Sequence, residues 1–242
     1  MFAGHKPKRS LASVILDNGR AESLRGDVQE FLSSREWYAT RGIPFRRGYL
    51  LHGPPGTGKT SFVGGIASEL GLDIYSLSLS AKGLDDDKLA KLLNALPPKT
   101  ILLIEDIDAA SSNATKRRNA GGDAEAWCRG VTLAGLLNVL DGIDASEGRV
   151  LFATTNHREL LDPALCRPGR MDVHFEFSLA SKSQAKALFK RFYPLGNGPK
   201  KSDSGGRDEL SKLATQFVES IPDRTYSMAE IQGYLVQYKT DA

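Results

Sequence analysis

The segment GPPGTGKT, from Gly53 to Thr60, constrains the fold more than any other part of this sequence. It follows the apolar run GYLLHG, which predicts a short buried strand, and precedes a helical pattern that stops at Gly71. Glycines let the backbone curl so that several N–H groups face a phosphate, and the next helix adds its positive N-terminus. In this spacing Lys59 reaches the β- and γ-phosphates and the Thr60 hydroxyl holds Mg²⁺. A glycine- and proline-rich turn with a chance lysine is the alternative, which the flanking strand and helix disfavour. The predicted nucleotide-binding residues are Gly53, Pro54, Pro55, Gly56, Thr57, Gly58, Lys59, Thr60 and Ser61.

Segments of strand length alternate with helical patterns along most of the chain. TILLIE is a continuous apolar run, as expected of a strand that is covered on both faces in a parallel sheet. DVHFEF alternates, with Val173, Phe175 and Phe177 on one face, and suits a strand at the sheet edge. Repeated strand–helix units predict an α/β fold with a doubly wound parallel sheet of five strands. The predicted strands are GYLLHG, IYSLSL, TILLIE, RVLFAT and DVHFEF.

The pattern becomes wholly helical after Ala180. One apolar stripe runs from Leu210 to Ile221, and Ser227 with Glu230 has the spacing of a capping box. This box opens a last helix that carries Ile231, Tyr234, Leu235 and Tyr238. The predicted divisions are an N-terminal tail (1–10), a large α/β domain (11–180) and a small helical lid domain (181–242), with irregular loops over 111–129 and 196–206.

The composition excludes several classes of protein. The 242 residues include 32 Lys and Arg against 29 Asp and Glu, and a formal net charge of +3 argues against a polybasic nucleic-acid binder. Two cysteines, Cys128 and Cys166, do not make a disulfide framework and have no neighbours at metal-ligand spacing, which indicates a reducing compartment. No apolar run approaches the roughly 18 residues of a membrane span and no signal peptide is visible, so we expect the chain as given to be soluble.

Two carboxylates, Glu105 and Asp106, follow the apolar strand TILLI directly. The carboxyl edge of such a sheet is where ligands bind, beside the phosphate-binding loop. Hydrolysis of a phosphoanhydride needs one acid for the magnesium shell and a second to orient or deprotonate the attacking water. From the strand register we assign Glu105 to the metal shell and Asp106 to the water.

The segment ATTNHRELLDPALCRPGRMD, from Ala153 to Asp172, supplies the remaining candidate catalytic groups. Asn156 stands at the end of its strand, where a neutral amide can position the attacking water. Arg167 and Arg170 follow on a loop. Arginines supplied by a neighbouring subunit neutralise transition-state charge in many phosphoryl-transfer enzymes. Surface salt bridges are the alternative for either arginine alone.

These features stand in the order found in the AAA family of ATPases, a family of P-loop NTPases that this chain resembles from about Ser10 to its end. The acids at 105–106 correspond to the family's second acidic motif, Asn156 to its first sensor, and Arg167 and Arg170 to its arginine fingers. Four segments are similar, more narrowly, to mitochondrial AAA chaperones that assemble respiratory complex III, whose members carry the same Glu-Asp order. The segments are LASVILD, EFLSSREWYATRGIPFRRGYLLHGPPGTGKTSF, VTLAGLLNVLDGIDASEGRVLFATTNH and YSMAEIQGYLVQYK.

The narrower resemblance implies a ring of identical subunits, six or seven, on the matrix side of the mitochondrial inner membrane. It implies that ATP, with Mg²⁺, drives the folded Rieske iron–sulfur protein across or into that membrane, leaving ADP. The family's N-terminal membrane helix and middle domain are not recognisable in this sequence, so we expect it to be the soluble ATPase portion, with contact to the membrane only through a segment outside it. The resemblance also places Met228 and Ala229 near the adenosine.

Other functions predict features that are weak in this sequence. AAA unfoldases grip their substrate with an aromatic residue in the loop after the second strand. In this sequence that loop, SLSAKGLDDDK, has no aromatic residue. A nucleic-acid motor needs a basic stripe, for which residues 116–118 are the only internal candidates. A small-molecule kinase does not require arginines that act across a subunit boundary, as Arg167 and Arg170 are predicted to do. An inactive scaffold does not require the catalytic residues Glu105, Asp106 and Asn156. A protein-remodelling ATPase with a folded cargo therefore remains our preferred hypothesis.

Overall fold

The computed structural model describes residues 10–17, 19–81, 83–110, 130–141, 148–193 and 204–239. The predicted loop over 111–129 and nearly all of the predicted tail lie outside these ranges. The loop predicted over 196–206 ends earlier than expected, because a helix begins at Ser204 and includes Gly205 and Gly206. Glycine in a helix costs only about 1 kcal/mol, so the rest of an amphipathic helix can carry it. Within the described ranges, no helix combines the length and apolar character needed to span a bilayer.

A parallel sheet forms the centre of the large domain, as the sequence predicts. Among the described residues its five strands follow the order second, third, fourth, first, fifth, so that the strand before the phosphate-binding loop lies between the fourth and fifth strands. The fifth strand is an edge strand, in agreement with its alternating sequence. The strands are β1 (Arg47–His52), β2 (Asp73–Ser78), β3 (Thr100–Glu105), β4 (Val150–Thr155) and β5 (Val173–Glu176).

Helices cover both faces of the sheet and form the lid. A short 3₁₀ turn, Leu11–Ser13, precedes them and packs against the helix that follows the phosphate-binding loop. In the large domain they are α1 (Arg20–Ser33), α2 (Arg35–Thr40), α3 (Lys59–Leu70), α4 (Asp86–Asn94) and α5 (Leu133–Asp141). In the lid they are α6 (Lys182–Phe192), α7 (Ser204–Glu219) and α8 (Met228–Gln237).

Adjacent residues of β1 show how the sheet separates two apolar layers. Leu50 packs in a cluster with Leu89 of α4 and Leu136 of α5, whereas Leu51 packs in a second cluster with Phe62 of α3. Both leucines are fully buried. Because successive strand residues point to opposite faces, a strand covered on both sides must be apolar at every position. This arrangement explains the uninterrupted apolar sequence of the central strands.

The lid has an apolar core of its own. Its helices α6 and α8 both begin with capping boxes, at Ser181 and at Ser227, so that the box predicted from the sequence is present. Ile231 and Leu235 of α8 are buried in this core. Ala180 belongs to the same core, and its backbone N–H donates to the carbonyl of Tyr226 at 2.8 Å. Ala180, two residues before the start of α6, is therefore already bonded to the lid.

Candidate active site

A cavity of about 1060 Å³ opens at the carboxyl edge of the sheet. Its walls are the loop between β1 and α3, the ends of β3 and β4, the amino-terminal segment around the 3₁₀ turn, and residues of α6 and α8. In a parallel sheet the carboxyl ends of neighbouring strands meet at one edge, so functional groups that are distant in sequence converge there.

The phosphate-binding loop depends on glycine at two positions where the backbone leaves β1 and enters α3. Gly53 has φ 137°, and a Cβ there would lie 1.8 Å from the carbonyl oxygen of Phe177. Gly58, the residue before α3, has φ 101° in the left-handed region. Larger residues would be strained in this conformation, so the curl of the loop follows directly from its sequence.

Lys59 lies in the floor of the cavity, where only 8% of its surface is exposed. Its Nζ donates to the carbonyls of Gly53, at 2.7 Å, and Pro54, at 2.8 Å, and to Oδ1 of Asn156 at 2.7 Å. Burial lowers the pKa of Lys59, and the charge of Asp106 partly opposes that effect. The structure thus joins two residues that the sequence separates by nearly 100 positions.

Glu105 bridges the loop and the neighbouring strand. Its Oε1 accepts a hydrogen bond from the Thr60 hydroxyl at 3.1 Å, and its Oε2 accepts one from the Ser76 hydroxyl at 2.9 Å. A hydroxyl and a carboxylate side by side are the hard oxygen ligands that Mg²⁺ prefers, so Thr60 and Glu105 fit the metal expected from the sequence. Ser76 was not predicted; the signal was a polar residue at a buried position of β2.

Asp106 follows β3 in the left-handed region, with φ 53°. Aspartate tolerates this conformation better than most residues. Its N–H points to the Thr154 hydroxyl at 3.4 Å, its own carbonyl accepts from Ala109 at 3.0 Å, and its side chain is exposed. Asp106, Thr154 and Asn156 all line the cavity.

Arg167 and Arg170 lie outside the set of described residues that line the cavity. Nε and Nη2 of Arg170 donate to the two carboxylate oxygens of Asp141, at the end of α5, and its Nη1 donates to the carbonyl of Ala164. This pairing lowers the pKa of Asp141. Arg167 is exposed, and no described residue accepts a hydrogen bond from its guanidinium. The two arginines predicted as a pair therefore differ in their contacts: Arg170 is bonded within its own chain, whereas Arg167 is exposed and bonded to no described residue.

Comparisons with known proteins agree with this architecture. A model of the ATPase family associated with various cellular activities (AAA) matches residues 49–179. The chain belongs to the AAA family of ATPases. A second model, described as the ATPase lid domain of the mitochondrial chaperone BCS1-like proteins, matches residues 182–242 of this AAA protein.

Three relatives of this AAA protein show how far the similarity extends. A probable mitochondrial chaperone BCS1-A of Dictyostelium discoideum is 45% identical over 98% of this chain and 53% of its own length. A probable mitochondrial chaperone bcs1 of Schizosaccharomyces pombe is 45% identical over 99% of this chain and 49% of its own. The mitochondrial chaperone BCS1 of Homo sapiens is 41% identical over 99% and 54%. The chain thus spans about half the length of the curated relatives that it matches.

The remaining wall of this AAA site comes from segments that carry no motif. Met228 and Ala229 line the cavity, and the Ala229 N–H donates to the carbonyl of Gly56 at 3.0 Å. Val14 and Ile15, before α1, and Phe192, in α6, also line it. No sequence pattern separates the apolar side chains of Val14, Ile15 and Phe192 from those of core residues, so the sequence did not predict that they line the cavity.

Proposed function

We propose that this AAA protein hydrolyses ATP to ADP and phosphate in a reaction that requires Mg²⁺. The observation that carries the proposal is the convergence of two contacts at one cavity. Nζ of Lys59 donates to Oδ1 of Asn156 at 2.7 Å, and the Thr60 hydroxyl donates to Oε1 of Glu105 at 3.1 Å. The first contact joins a phosphate-binding cation to a neutral amide, and the second joins two oxygen ligands suited to Mg²⁺.

Each of these residues has a separate role in the proposed reaction. The loop N–H groups and Lys59 bind the phosphates and neutralise the charge that develops on them. Thr60 and Glu105 hold the metal, which supplies further charge neutralisation when bound. Asp106 accepts a proton from the attacking water, and Asn156 orients that water. Met228 and Ala229 contribute to the adenosine end of the cavity.

We place the last catalytic group in a neighbouring subunit of a ring. Neither Arg167 nor Arg170 lines the cavity of its own chain among the described residues, so either one acts on a nucleotide only across a subunit boundary. Arg167 suits this role better, because it is exposed and its guanidinium donates no hydrogen bond to any described residue. Arg170 is held by Asp141 and Ala164 within its own chain. Head-to-tail contacts that close on themselves produce such a ring, here of six or seven subunits.

The relatives named as mitochondrial chaperones support a chaperone function in the mitochondrion. We propose that the protein acts at the inner membrane, on the matrix side. We propose the folded Rieske iron–sulfur protein as the cargo, in the assembly of respiratory complex III. A folded cargo agrees with the sequence of the loop after β2, which has no aromatic residue to grip an extended chain.

The activity is tested by ATP hydrolysis per subunit as a function of protein concentration. We expect Mg²⁺-dependent hydrolysis whose specific activity rises with concentration, and a loss of about 1,000-fold when Arg167→Ala removes the trans arginine. Arg35→Ala is the matched control, because Arg35 is an exposed arginine at the start of α2. A constant specific activity together with a fully active Arg167→Ala variant would contradict the shared site.

The cargo is tested separately with purified Rieske iron–sulfur protein. We expect the folded, cluster-containing form to bind the full-length chaperone and to change its rate of ATP hydrolysis, while the unfolded form of the same protein does not. An equal or stronger response to the unfolded form would identify an unfoldase instead.

A further inference from the structure

The ends of β3 and β4 remain joined beyond the last pair of the sheet ladder, Ile104 and Ala153. The N–H of Ile107 donates to the carbonyl of Thr154 at 3.0 Å, and the N–H of Asp106 lies 3.4 Å from the Thr154 hydroxyl. The segment after β3, which carries Asp106, is therefore bonded to the strand end that carries Asn156. The relative position of these two candidate catalytic residues depends on how that strand end is held.

Thr155 is the centre of a second set of bonds at the same place. Its side chain is fully buried, its hydroxyl donates to Oδ1 of Asp108 at 2.6 Å, and the hydroxyl oxygen accepts the N–H of His157 at 2.9 Å. A hydroxyl has one hydrogen, so the bond to the carboxylate leaves its lone pairs to accept the backbone N–H. A hydroxyl that accepts from the residue two positions on closes a turn. Asn156 is the residue between the two ends of this turn.

Asp108 lies outside the cavity and is bonded to the end of β4 through the Thr155 hydroxyl. Neither Asp108 nor Thr155 is among the described residues that line the cavity, whereas Asp106, Thr154 and Asn156 are. Without the carboxylate, the buried Thr155 hydroxyl would lose its acceptor and would rotate towards another one, which would release the His157 N–H. The Asn156 side chain would then lose the backbone geometry that directs it to Lys59.

We propose that Asp108 is a positioning residue for ATP hydrolysis, which orients the Thr155 hydroxyl and thereby holds Asn156 in register with Asp106 and Lys59. The inference rests on the proposed hydrolytic function of the site and adds a residue that is not among the described residues lining the cavity. It predicts a defect in the chemical step, because the bonds of the Thr155 side chain go to Asp108 and His157, whereas the phosphate-binding loop contacts Thr155 through its backbone, where the Gly53 N–H donates to the Thr155 carbonyl at 3.3 Å.

The test combines Asp108→Ala with Thr155→Val, which removes the hydroxyl and keeps the shape of the side chain. We expect each variant to lower kcat by about 10- to 100-fold, as expected for a misplaced catalytic group. The KM for ATP and the affinity for a non-hydrolysable ATP analogue with Mg²⁺ should stay as in the wild type. The double variant should be no slower than either single variant, because both changes break the same chain of bonds.

Conservative variants separate orientation from folding and charge. Asp108→Asn retains an oxygen that accepts from Thr155, and Thr155→Ser retains the hydroxyl, so both should recover most of the lost kcat. If Asp108→Ala does not fold, the comparison of Thr155→Val with Thr155→Ser decides the question in the same way. Asp73→Ala is the matched control, since Asp73 is exposed at the amino end of β2, on the opposite edge of the sheet.

Three results would overturn the inference: a wild-type kcat for Thr155→Val, an Asp108→Asn variant as slow as Asp108→Ala, or additive losses in the double variant. If the wild type hydrolyses ATP and these results appear, the proposed function stands and Asp108 has no positioning role. If the wild type itself does not hydrolyse ATP, the proposed function fails, and this inference fails with it.

Discussion

At the scale of single residues, the backbone conformation places Glu105 and Asp106 in different surroundings. Glu105 is the last residue of β3, and its carboxylate spans the hydroxyls of Thr60 and Ser76. Asp106 follows in the left-handed region, with φ 53°, so the chain turns between the two carboxylates. The longer glutamate side chain therefore stands at the position that reaches the phosphate-binding loop, and the shorter aspartate stands at the turn.

This geometry predicts different defects for the two acids. Asp106→Asn should keep the affinity for ATP and Mg²⁺ and lower kcat by about 100-fold or more, because it removes a general base. Glu105→Gln should instead raise the Mg²⁺ concentration needed for half-maximal activity. Magnesium titrations of steady-state hydrolysis separate the two effects. Near-wild-type hydrolysis by Asp106→Asn would rule out Asp106 as the general base.

His52, the last residue of β1, predicts a dependence of stability on pH. Its pKa is lowered, first by burial and then by the Arg158 guanidinium, whose Nη1 lies 3.3 Å from its Nε2, while Glu176 opposes the shift. Because the folded-state pKa lies below the unfolded value of about 6.5, the folded state binds fewer protons in that window. The contribution of His52 to stability is thus fully present above pH 6.5 or so and is lost as the pH falls towards the folded pKa.

We therefore expect the free energy of unfolding to decrease below about pH 6.5, and His52→Gln to remove part of that decrease. Urea unfolding between neutral and mildly acidic pH measures the slope. His157→Gln is the matched control, because His157 is exposed and pairs with Glu159 at the surface. Equal pH slopes for wild type and His52→Gln would show that this histidine does not contribute.

At the scale of elements, the sequence predicts the strands, the edge position of β5 and the capping box of α8, because each depends on local periodicity or spacing. The helical start at Ser204 was missed, because Gly205 and Gly206 resemble a loop and the packing of α7 outweighs their low propensity. At the site, the loop, the acids and Asn156 were found as motifs. The contacts of Glu105 with Ser76 and of Asp108 with Thr155 were not predicted, because the sequence does not show which hydroxyls are buried beside a carboxylate.

The start of α8 is bonded to the phosphate-binding loop and so connects the lid to the cavity. The Ser227 hydroxyl accepts the Glu230 N–H, and the Ala229 N–H donates to the carbonyl of Gly56. Ser227→Ala should destabilise the lid by about 1 kcal/mol, as for other lost helix caps, and should weaken binding of ATP more than it lowers kcat. Thermal unfolding and nucleotide titration measure both effects, with Ser227→Asp, which restores a cap, as the control. Unchanged ATP affinity in a destabilised Ser227→Ala would mean that the cap serves folding alone.

At the scale of the whole molecule, the active site of one chain is incomplete if Arg167 acts in trans. Arg170 and Asp141 lie 29 positions apart and bind each other within one chain, which holds the arginine loop against the end of α5. The sequence alone does not distinguish the two arginines, because the difference arises from a partner distant in sequence. In the proposed ring, the loop is thus fixed by one arginine and extends the other towards the neighbouring cavity.

A shared site predicts that two inactive variants restore each other. Lys59→Ala subunits cannot hydrolyse ATP but still present Arg167, whereas Arg167→Ala subunits keep an intact cavity and lack the arginine for their neighbour. In rings assembled from an equal mixture, about a quarter of the sites combine an intact cavity with an intact neighbouring arginine, since head-to-tail contacts pair unlike surfaces. We expect hydrolysis to recover to that fraction, and no recovery when Lys59→Ala is mixed with the Lys59→Ala/Arg167→Ala double variant. A mixture no more active than its separate components would place the decisive arginine within the same chain, and Arg170, released from Asp141, would then be the residue to test.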